Sequence, residues 1–284
     1  MSAAERADPP VAPGGSAPTV DVVVAGAAGR MGSRVVACLR EASDLQLVGA
    51  LEASGHPAAG RDAGDVAGVG AMGVRIGADA GVALARDRVL IEFSAPAPTL
   101  EHLRRIADVG GRAVIGTTGF TAPQREEIAG LARRAAIMLS PNMSVGVTLA
   151  LQVLATMARA LGDEYDVEIT EIHHRFKKDA PSGTALRMAE VVAEALGRDL
   201  TTVGVYGRQG VPGERSTKEI GVLSLRSGDV VGEHTVSFGT LGERLELTHR
   251  AHNRDTFARG ALRAVRWIAG RPPGLYTMQD VLGL

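Results

Sequence analysis

The chain has little cysteine, few aromatic residues and almost no net charge. Its single cysteine, Cys38, excludes an intramolecular disulfide framework and fits a reducing compartment. Aromatic residues make up 3% of the chain, which argues against base-stacking platforms for single-stranded nucleic acid. The net charge of −1 indicates neither a nucleic-acid partner nor a membrane-surface partner. We find no apolar run with the length that a membrane span needs, and we expect no membrane partner.

The first eighteen residues, MSAAERADPPVAPGGSAP, are rich in proline, alanine, glycine and serine. They lack the apolar stretch of a secretory signal, so residues 1–18 are predicted to form a disordered tail. Together with the single cysteine, this favours a cytoplasmic protein.

Residues 19–142 alternate between strand-like and helix-like segments. Short apolar runs such as VDVVVA and AIML are separated by stretches with helical spacing, and Thr121 with Gln124 predicts a capping box at one helix start. This alternation predicts βαβ units and a parallel sheet covered on both faces. A ligand would then lie at the carboxyl ends of the strands.

Residues 143–254 have a different pattern. GVTLALQVLATMARALG predicts a long helix, YDVEITEIHH a strand, and SGTALRMAEVVAEALG a second helix. Three later segments, EIGVLSLR, DVVGEHTVSFGT and GERLELTHRAH, are separated by turn signals and predict an antiparallel meander. The fold class is therefore α/β, with a Rossmann-type parallel-sheet domain followed by an α+β domain with a mixed or antiparallel sheet. A last helix, TFARGALRAVRWIAG, ends the pattern.

The glycine-rich motif GAAGRMG, from Gly26 to Gly32, follows the first strand directly. Glycines at these places allow a tight turn and close approach of the backbone to a pyrophosphate at a helix N-terminus. Glu52 follows the next strand and could accept hydrogen bonds from the ribose hydroxyls. No lysine follows Gly32, which disfavours a nucleotide-triphosphate loop. A glycine turn that serves packing alone is the alternative to dinucleotide binding.

Glu52 also bears on the choice between NADH and NADPH. A carboxylate repels a 2′-phosphate, and Ala53 and Ser54 follow where an arginine would compensate, so the sequence favours NADH. Arg30 or Arg61 could weaken that preference. GTTGF (116–120) and SPNMS (140–144) end later strands and are expected on the cofactor side, although Thr117 and Asn142 could be turn formers only.

The segment EIHHRFKKDAPSGTAL holds two of the three lysines of the chain. Lysine and histidine can transfer protons near neutral pH, whereas arginine effectively cannot. Ser182 is a plausible N-cap, and the amide groups after it offer a site for a carboxylate. A solvated turn is the alternative. A metal site from the two histidines and Asp179 follows no known ligand spacing, so no metal is predicted.

These motifs, in this order and spacing, resemble the 4-hydroxy-tetrahydrodipicolinate reductase (dihydrodipicolinate reductase) family from about Val20 to Leu284. The resemblance rests on GAAGRMG, Glu52, GTTGF, SPNMSVGV, EIHHRFKKDAPSGTA and GERLELTHRA. It implies a homotetrameric NAD(P)H-dependent oxidoreductase of lysine and diaminopimelate biosynthesis that acts on a cyclic dicarboxylate. It also implies that residues 255–284 return to the dinucleotide-binding domain.

The resemblance further assigns roles to individual residues. It implies proton transfer by His173 and Lys177, and contact with the substrate dicarboxylate by His174, Gly183 and Thr184, beside the Ser182 cap. The residues that it places around the cofactor are Gly26, Ala27, Ala28, Gly29, Arg30, Met31, Glu52, Gly116, Thr117, Thr118, Ser140, Pro141, Asn142 and Met143.

Four positions depart from the usual pattern of this family. Ala53 replaces a frequent arginine, which puts NADPH use in question. Met143 replaces a frequent phenylalanine, and Glu92 and Ser94 replace a frequent aspartate and threonine. Two other functions stay open from the residues alone: a different two-domain NAD-dependent dehydrogenase of an aspartate-like substrate, and a dinucleotide sensor without chemistry.

Overall fold

The computed structural model describes residues 19–284, and the tail predicted over residues 1–18 lies outside the described residues. The strands are β1 Val20–Ala25, β2 Leu45–Leu51, β3 Ile76–Gly77, β4 Val89–Glu92, β5 Arg112–Ile115, β6 Ala136–Leu139, β7 Asp166–His173, β8 Gly204–Val205, β9 Ile220–Arg226, β10 Gly232–Thr240, β11 Glu243–Ala251 and β12 Gly274–Tyr276. The helices are α1 Gly32–Arg40, α2 Ala63–Ala67, α3 Ala80–Ala83, α4 Pro96–Val109, α5 Ala122–Leu131, α6 Val145–Leu161, α7 Gly183–Ala195, α8 Leu200–Val203, α9 Asp255–Ile268 and α10 Met278–Leu282, with a 3₁₀ turn at Gly162–Glu164.

Seven strands form a parallel sheet in the order β12-β6-β5-β4-β1-β2-β3. Its central strands are apolar on both faces, and Val22, Val23 and Val24 of β1 are fully buried. One face packs on α1 and α9, and the other packs on α4 and α5. The predicted parallel sheet with helices on both faces is confirmed.

The second sheet has five strands in the order β11-β10-β7-β9-β8. The predicted antiparallel meander is confirmed for β10 and β11 and wrong for β9, because β7 lies between β9 and β10, antiparallel to β10 and parallel to β9. The turn signals between the segments suggested pairing in chain order. Instead β7 takes the central place, where its alternate residues Val167 and Ile169 are fully buried. The sheet is mixed, as the fold class allowed.

The helix α6 corrects one statement about apolar runs. With the 3₁₀ turn it forms a helical segment, Val145–Glu164, of 20 residues and mean hydropathy 1.5, which meets the length and composition of a membrane span. The expectation that no run reaches this length is therefore wrong. The helix packs against α7 and β11 and buries Leu154 and Ala158 fully, while Leu149 and Val153 are exposed.

The C-terminal segment lies beside the first sheet. Helix α9 packs against α1, β4, β5 and β6, and Arg34 of α1 donates two hydrogen bonds to Asp255 at 2.6 and 2.8 Å. Strand β12, which the sequence pattern did not reveal, extends the sheet next to β6. Helix α10 then contacts α6, so the end of the chain touches the elements around both sheets.

Candidate active site

A cavity of about 640 Å³ opens between the carboxyl end of β6, the end of β7 and the start of α7. Helix α10 and its N-cap form a further wall. The residues that line the cavity come from both halves of the chain: Thr118, Leu139, Ser140, Pro141, Asn142, Val147, Thr148, Leu151, His173, Lys177, Asp179, Ser182, Gly183, Thr184, Arg187, Thr277, Met278 and Gln279. The cavity thus joins a predicted cofactor loop to the predicted proton-transfer segment.

The glycine-rich loop has the geometry that a pyrophosphate cradle requires. Gly26 has φ +72°, and a side chain there would come within 2.7 Å of the Phe93 carbonyl oxygen. A Cβ on Gly32 would lie 2.0 Å from the Gly26 carbonyl oxygen. The amide groups of Arg30, Met31 and Gly32 have no acceptor among residues 19–284, so they are free to bind an anion at the start of α1.

Glu52 lies at the end of β2, as predicted, and turns back to this loop. Its Oε1 accepts a hydrogen bond of 2.8 Å from the Ala28 amide. The carboxylate is half-buried, and Ala53 beside it is exposed, as is Arg61 farther along. The arrangement fits the adenosine ribose of a dinucleotide, which needs an acceptor next to the glycine turn.

The three residues of the turn from Gly116 to Thr118 have different roles. A Cβ on Gly116 would lie 2.0 Å from a ring carbon of Phe93, so glycine here makes room for that ring. Thr117 is buried and accepts a hydrogen bond of 3.0 Å from Thr99, whereas Thr118 lines the cavity. Thr118 is therefore the member of the turn that faces the cavity.

The loop after β6 places three of its four predicted residues in the cavity wall. Ser140, Pro141 and Asn142 line it, and Ser140 Oγ donates a 2.7 Å hydrogen bond to the Asn142 carbonyl. Met143 is buried in the core below, and its carbonyl would lie 1.8 Å from a Cβ on Gly260 of α9. The Met143 side chain thus packs against the core and does not reach the cavity.

The start of α7 is built as an anion site. Ser182 caps the helix by accepting a hydrogen bond from the Ala185 amide, and Gly183 and Thr184 follow in the first turn. All three line the cavity. Ser182 Oγ also lies 3.0 Å from His234 Nε2 and forms a hydrogen bond with it. Burial lowers the pKa of His234 to about 4, so this imidazole is neutral.

His173 ends β7 and points into the cavity while 9% of it is exposed. Its Nδ1 lies 2.6 Å from the Glu171 carboxylate. Burial lowers the pKa of His173, and Glu171 opposes that shift by favouring the charged ring. The imidazole therefore combines a fixed orientation with the proton-transfer chemistry of histidine.

Lys177 lies across the cavity in the loop between β7 and α7. Its Nζ donates to both carboxylate oxygens of Asp179, at 2.9 and 2.8 Å. This hydrogen bond from Lys177 lowers the pKa of Asp179. Lys177 is partly buried and faces the cavity, whereas its neighbour Lys178 is exposed and does not line it.

His174 is the predicted substrate residue that the cavity does not include. It follows the last residue of β7, and its Nδ1 is buried without a hydrogen-bond partner among the described residues. Consecutive residues of an extended chain point to opposite sides, which explains why His173 and His174 separate. Residues 19–284 also contain no group of three or more histidine, cysteine, aspartate or glutamate side chains placed to hold a metal.

Glu92 and Ser94 belong to a polar cluster at the end of β4, in which Ser94 is exposed. Glu92 is fully buried, its carboxylate lies 2.6 Å from His102 Nδ1, and Ser94 Oγ donates to it. The two residues that depart from the usual pattern are thus partners of each other. They lie at the carboxyl edge of the parallel sheet, on the side of the glycine-rich loop.

Several cavity residues were missed by sequence reasoning. Thr277 and Gln279 enter from the C-terminal segment, where the pattern Thr-Met-Gln-Asp is a capping box that the sequence could have revealed. Arg187 lies one turn into α7 and carried no separate signal. Behind the cavity wall, Glu171 contacts His173 and Arg226 contacts Glu171, and the pairing of their strands could not be read from the sequence.

Both halves of the chain match known proteins. Residues 20–143 match the profile "Dihydrodipicolinate reductase, N-terminus" and residues 146–282 match "Dihydrodipicolinate reductase, C-terminus". A 4-hydroxy-tetrahydrodipicolinate reductase of Syntrophus aciditrophicus (strain SB) is 53% identical over 261 residues, 92% of this chain and 97% of that protein. One of Geobacter sp. (strain M21) is 53% identical over 265 residues, 93% of this chain and 99% of its own.

A solved structure has the same fold. The dipicolinate-bound dihydrodipicolinate reductase from Paenisporosarcina sp. TG-14 superimposes with a TM-score of 0.72 at 24% identity, over 92% of this chain and 98% of that one.

Proposed function

Because this chain belongs to the dihydrodipicolinate reductase family, we propose that it reduces 4-hydroxy-tetrahydrodipicolinate to tetrahydrodipicolinate in this cavity. It is an NAD(P)H-dependent oxidoreductase of lysine and diaminopimelate biosynthesis. The observation that carries the assignment to this cavity is the meeting of His173, Lys177 and the α7 start with the loop after β6.

The dinucleotide would be held along the carboxyl edge of the parallel sheet. The free amide groups of the Gly26–Met31 loop would bind its pyrophosphate, and Glu52 would accept from its ribose hydroxyls. Thr118 and the Ser140–Asn142 loop would hold the nicotinamide end in the cavity wall. When bound, the reduced nicotinamide supplies the hydride.

The chain's own residues would bind the ring and supply the proton. The amide groups at the start of α7 would bind one ring carboxylate, with Lys177 as its cationic partner. Hydride addition to a C=N or conjugated C=C–C=N unit leaves negative charge that requires a proton. His173 would donate it, with Lys177 as the second proton-transfer residue. His174 would act on the substrate from its place after the end of β7 and not from the cavity wall.

The cofactor preference follows from the end of β2. The Glu52 carboxylate disfavours a 2′-phosphate, and the exposed Ala53 offers no cation to compensate. We therefore infer that NADH is used in preference to NADPH.

The working enzyme is proposed to be a cytoplasmic homotetramer. Residues 19–142 would form the dinucleotide domain, residues 143–254 the substrate and assembly domain, and residues 255–284 would return to the first. The five-stranded sheet carries α6 and α7 on one face and leaves Thr235, Ser237 and Thr248 accessible on the other face of strands β10 and β11. Sedimentation velocity gives the assembly state, and a monomer would refute this part.

The reductase is tested by generating its substrate in place. Pyruvate and aspartate semialdehyde are combined with a synthase, this protein is added, and absorbance loss is followed with NADH and with NADPH. Substrate-dependent oxidation supports the proposal, and the ratio of the two rates gives the preference. A folded protein that binds dinucleotide but oxidises neither cofactor would point to a dinucleotide sensor or to another imine substrate.

A further inference from the structure

Glu171 is a fully buried carboxylate for which the proposed reaction has no role so far. It lies on β7, two residues before His173 and on the same face of the strand. Four hydrogen bonds reach its two oxygens. Oε2 receives His173 Nδ1 at 2.6 Å and Arg226 at 2.9 Å, and Oε1 receives the Ser182 amide at 3.1 Å and Arg226 at 3.0 Å.

Arg226 connects this carboxylate to the loop that carries Lys177. It binds Glu171 through two nitrogens, and its Nη2 also donates a 2.7 Å hydrogen bond to the Asp179 carbonyl. Asp179 in turn holds Lys177. One carboxylate of β7 and one guanidinium of β9 thus contact the proton donor, the lysine loop and the helix cap, which follow one another between His173 and Ser182.

We propose that Glu171, clamped by Arg226, is a positioning residue that fixes the tautomer and orientation of His173 relative to the carboxylate site at the start of α7. The inference rests on the proposed reductase function. Glu171 does not touch the substrate in this account. It acts through His173 and Ser182.

The tautomer follows from the hydrogen bonds. Glu171 is ionised, since the hydrogen bonds from Arg226 and His173 outweigh its burial and hold its pKa below the usual range. An ionised carboxylate only accepts, so His173 Nδ1 carries the hydrogen. Nε2 is then the nitrogen that exchanges a proton with the substrate. It lies near Gly232 of β10, where an added Cβ would approach within 2.9 Å.

The charges around His173 decide what loss of Glu171 would do. Glu171 is the anion that faces the ring, while Arg226, Lys177 and the neutral His234 face it from β9, the β7–α7 loop and β10. With the anion removed, burial and the two cations act unopposed on the imidazolium. The pKa of His173 would therefore fall, and less of it would be protonated at neutral pH.

A purely structural ion pair is the competing explanation, and the same strand provides one for comparison. Glu168 points to the opposite face of β7, binds Arg208 and Arg215 through its carboxylate, and touches no residue of the cavity wall. Its side chain is 29% exposed, whereas that of Glu171 is 0% exposed. Glu168→Gln is thus a matched control for loss of a β7 carboxylate with arginine partners.

The test uses the full chain with Glu171→Gln, Glu171→Asp and Glu168→Gln. Nitrogen-15 histidine NMR of the substrate-free protein reads the tautomer and pKa of His173 without any assay of activity. We expect the Nδ1–H tautomer in the native chain and in Glu168→Gln. In Glu171→Gln we expect a mixture of tautomers and a lower His173 pKa.

Steady-state kinetics give the second readout. Glu171→Gln should lower kcat by about 100-fold, the lower end of what a positioned acid contributes, and leave dinucleotide affinity unchanged. The limb of the kcat/KM profile that falls with rising pH should move to lower pH. Glu171→Asp should recover part of kcat, since it restores the anion at a longer distance.

The outcomes separate this inference from the proposed function. If native protein fails to oxidise either cofactor yet shows the Nδ1–H tautomer that Glu171→Gln loses, the reductase assignment fails and the positioning role stands. An unchanged tautomer and pH profile in a folded Glu171→Gln protein would overturn the positioning role. If Glu171→Gln does not fold, Glu171→Asp decides: its shorter side chain withdraws the anion from His173 Nδ1, and an unchanged His173 pKa and pH profile would refute the proposal.

Discussion

The side-chain amide of Asn142 donates a hydrogen bond of 3.2 Å to Thr184 Oγ1. Asn142 belongs to the loop after β6 of the parallel sheet, and Thr184 belongs to the first turn of α7, which covers the mixed sheet. The wall expected to hold the nicotinamide is thus bonded directly to the helix start expected to hold a carboxylate. Such a contact sets the distance over which a hydride would travel.

Replacement of Lys177 by alanine should lower turnover strongly. Lys177 is the cation in the cavity wall on the loop between β7 and α7, and a positioned proton-transfer group contributes about 100- to 10,000-fold. Dinucleotide affinity should be nearly unchanged, because the glycine-rich loop is untouched. Steady-state kinetics and cofactor titration measure both. Lys178→Ala is the control, since Lys178 is exposed, and an equal loss there would contradict the role of Lys177.

Replacement of Ala53 by arginine should shift the cofactor preference toward NADPH. A guanidinium beside Glu52 would offset the repulsion between its carboxylate and a 2′-phosphate. We expect the ratio of kcat/KM for NADPH to that for NADH to rise by about tenfold, which corresponds to ~1.4 kcal/mol. Ala53→Leu adds a side chain without charge and should leave the ratio where it was. If both variants change it equally, charge is not the cause.

Replacement of Gly232 by alanine should impair proton transfer by His173 through steric contact alone. An added Cβ would lie 2.9 Å from His173 Nε2, which is closer than atoms normally approach, so the ring would have to move. We expect kcat to fall by about tenfold or more, as displacement of a proton-transfer group does. Gly239→Ala on the same strand meets no atom within 4 Å and should retain kcat. Native kcat in Gly232→Ala would show that the ring can shift without consequence.

The sequence predicted those features of the fold that depend on short stretches. The glycine-rich turn, the Thr121 capping box and the Ser182 cap each depend on a few adjacent residues, and the structure has all three. The place of Glu52 at the end of β2 also followed from local spacing.

Features that depend on distant parts of the chain could not be predicted in this way. The insertion of β7 between β9 and β10 decides that Arg226 reaches Glu171, and no local signal reports that pairing. The three-residue strand β12 is too short for a periodic pattern. The residues around His173 were missed for the same reason, although the histidine itself was predicted as the acid.

His234 should make the protein sensitive to acid. Burial lowers its pKa to about 4 from an ordinary value near 6.5. Between these two pH values the unfolded chain binds a proton at this histidine and the folded chain does not. The free energy of unfolding should therefore fall as the pH drops from about 6.5 toward 4. His173 and His249 act in the same direction, since burial lowers the pKa of each.

Denaturant titration at fixed protein concentration measures this effect at pH 7 and pH 5. His234→Gln should reduce the loss of unfolding free energy between these pH values by about 2 kcal/mol. The reason is that the unfolded and folded chains no longer differ in proton binding at this position over the roughly one and a half pH units between pH 6.5 and pH 5. The variant should be less stable than the native chain at pH 7, since Ser182 loses its partner. His252 is exposed, so His252→Asn should keep the native acid sensitivity. An unaltered pH slope in His234→Gln would mean that other groups cause the acid sensitivity.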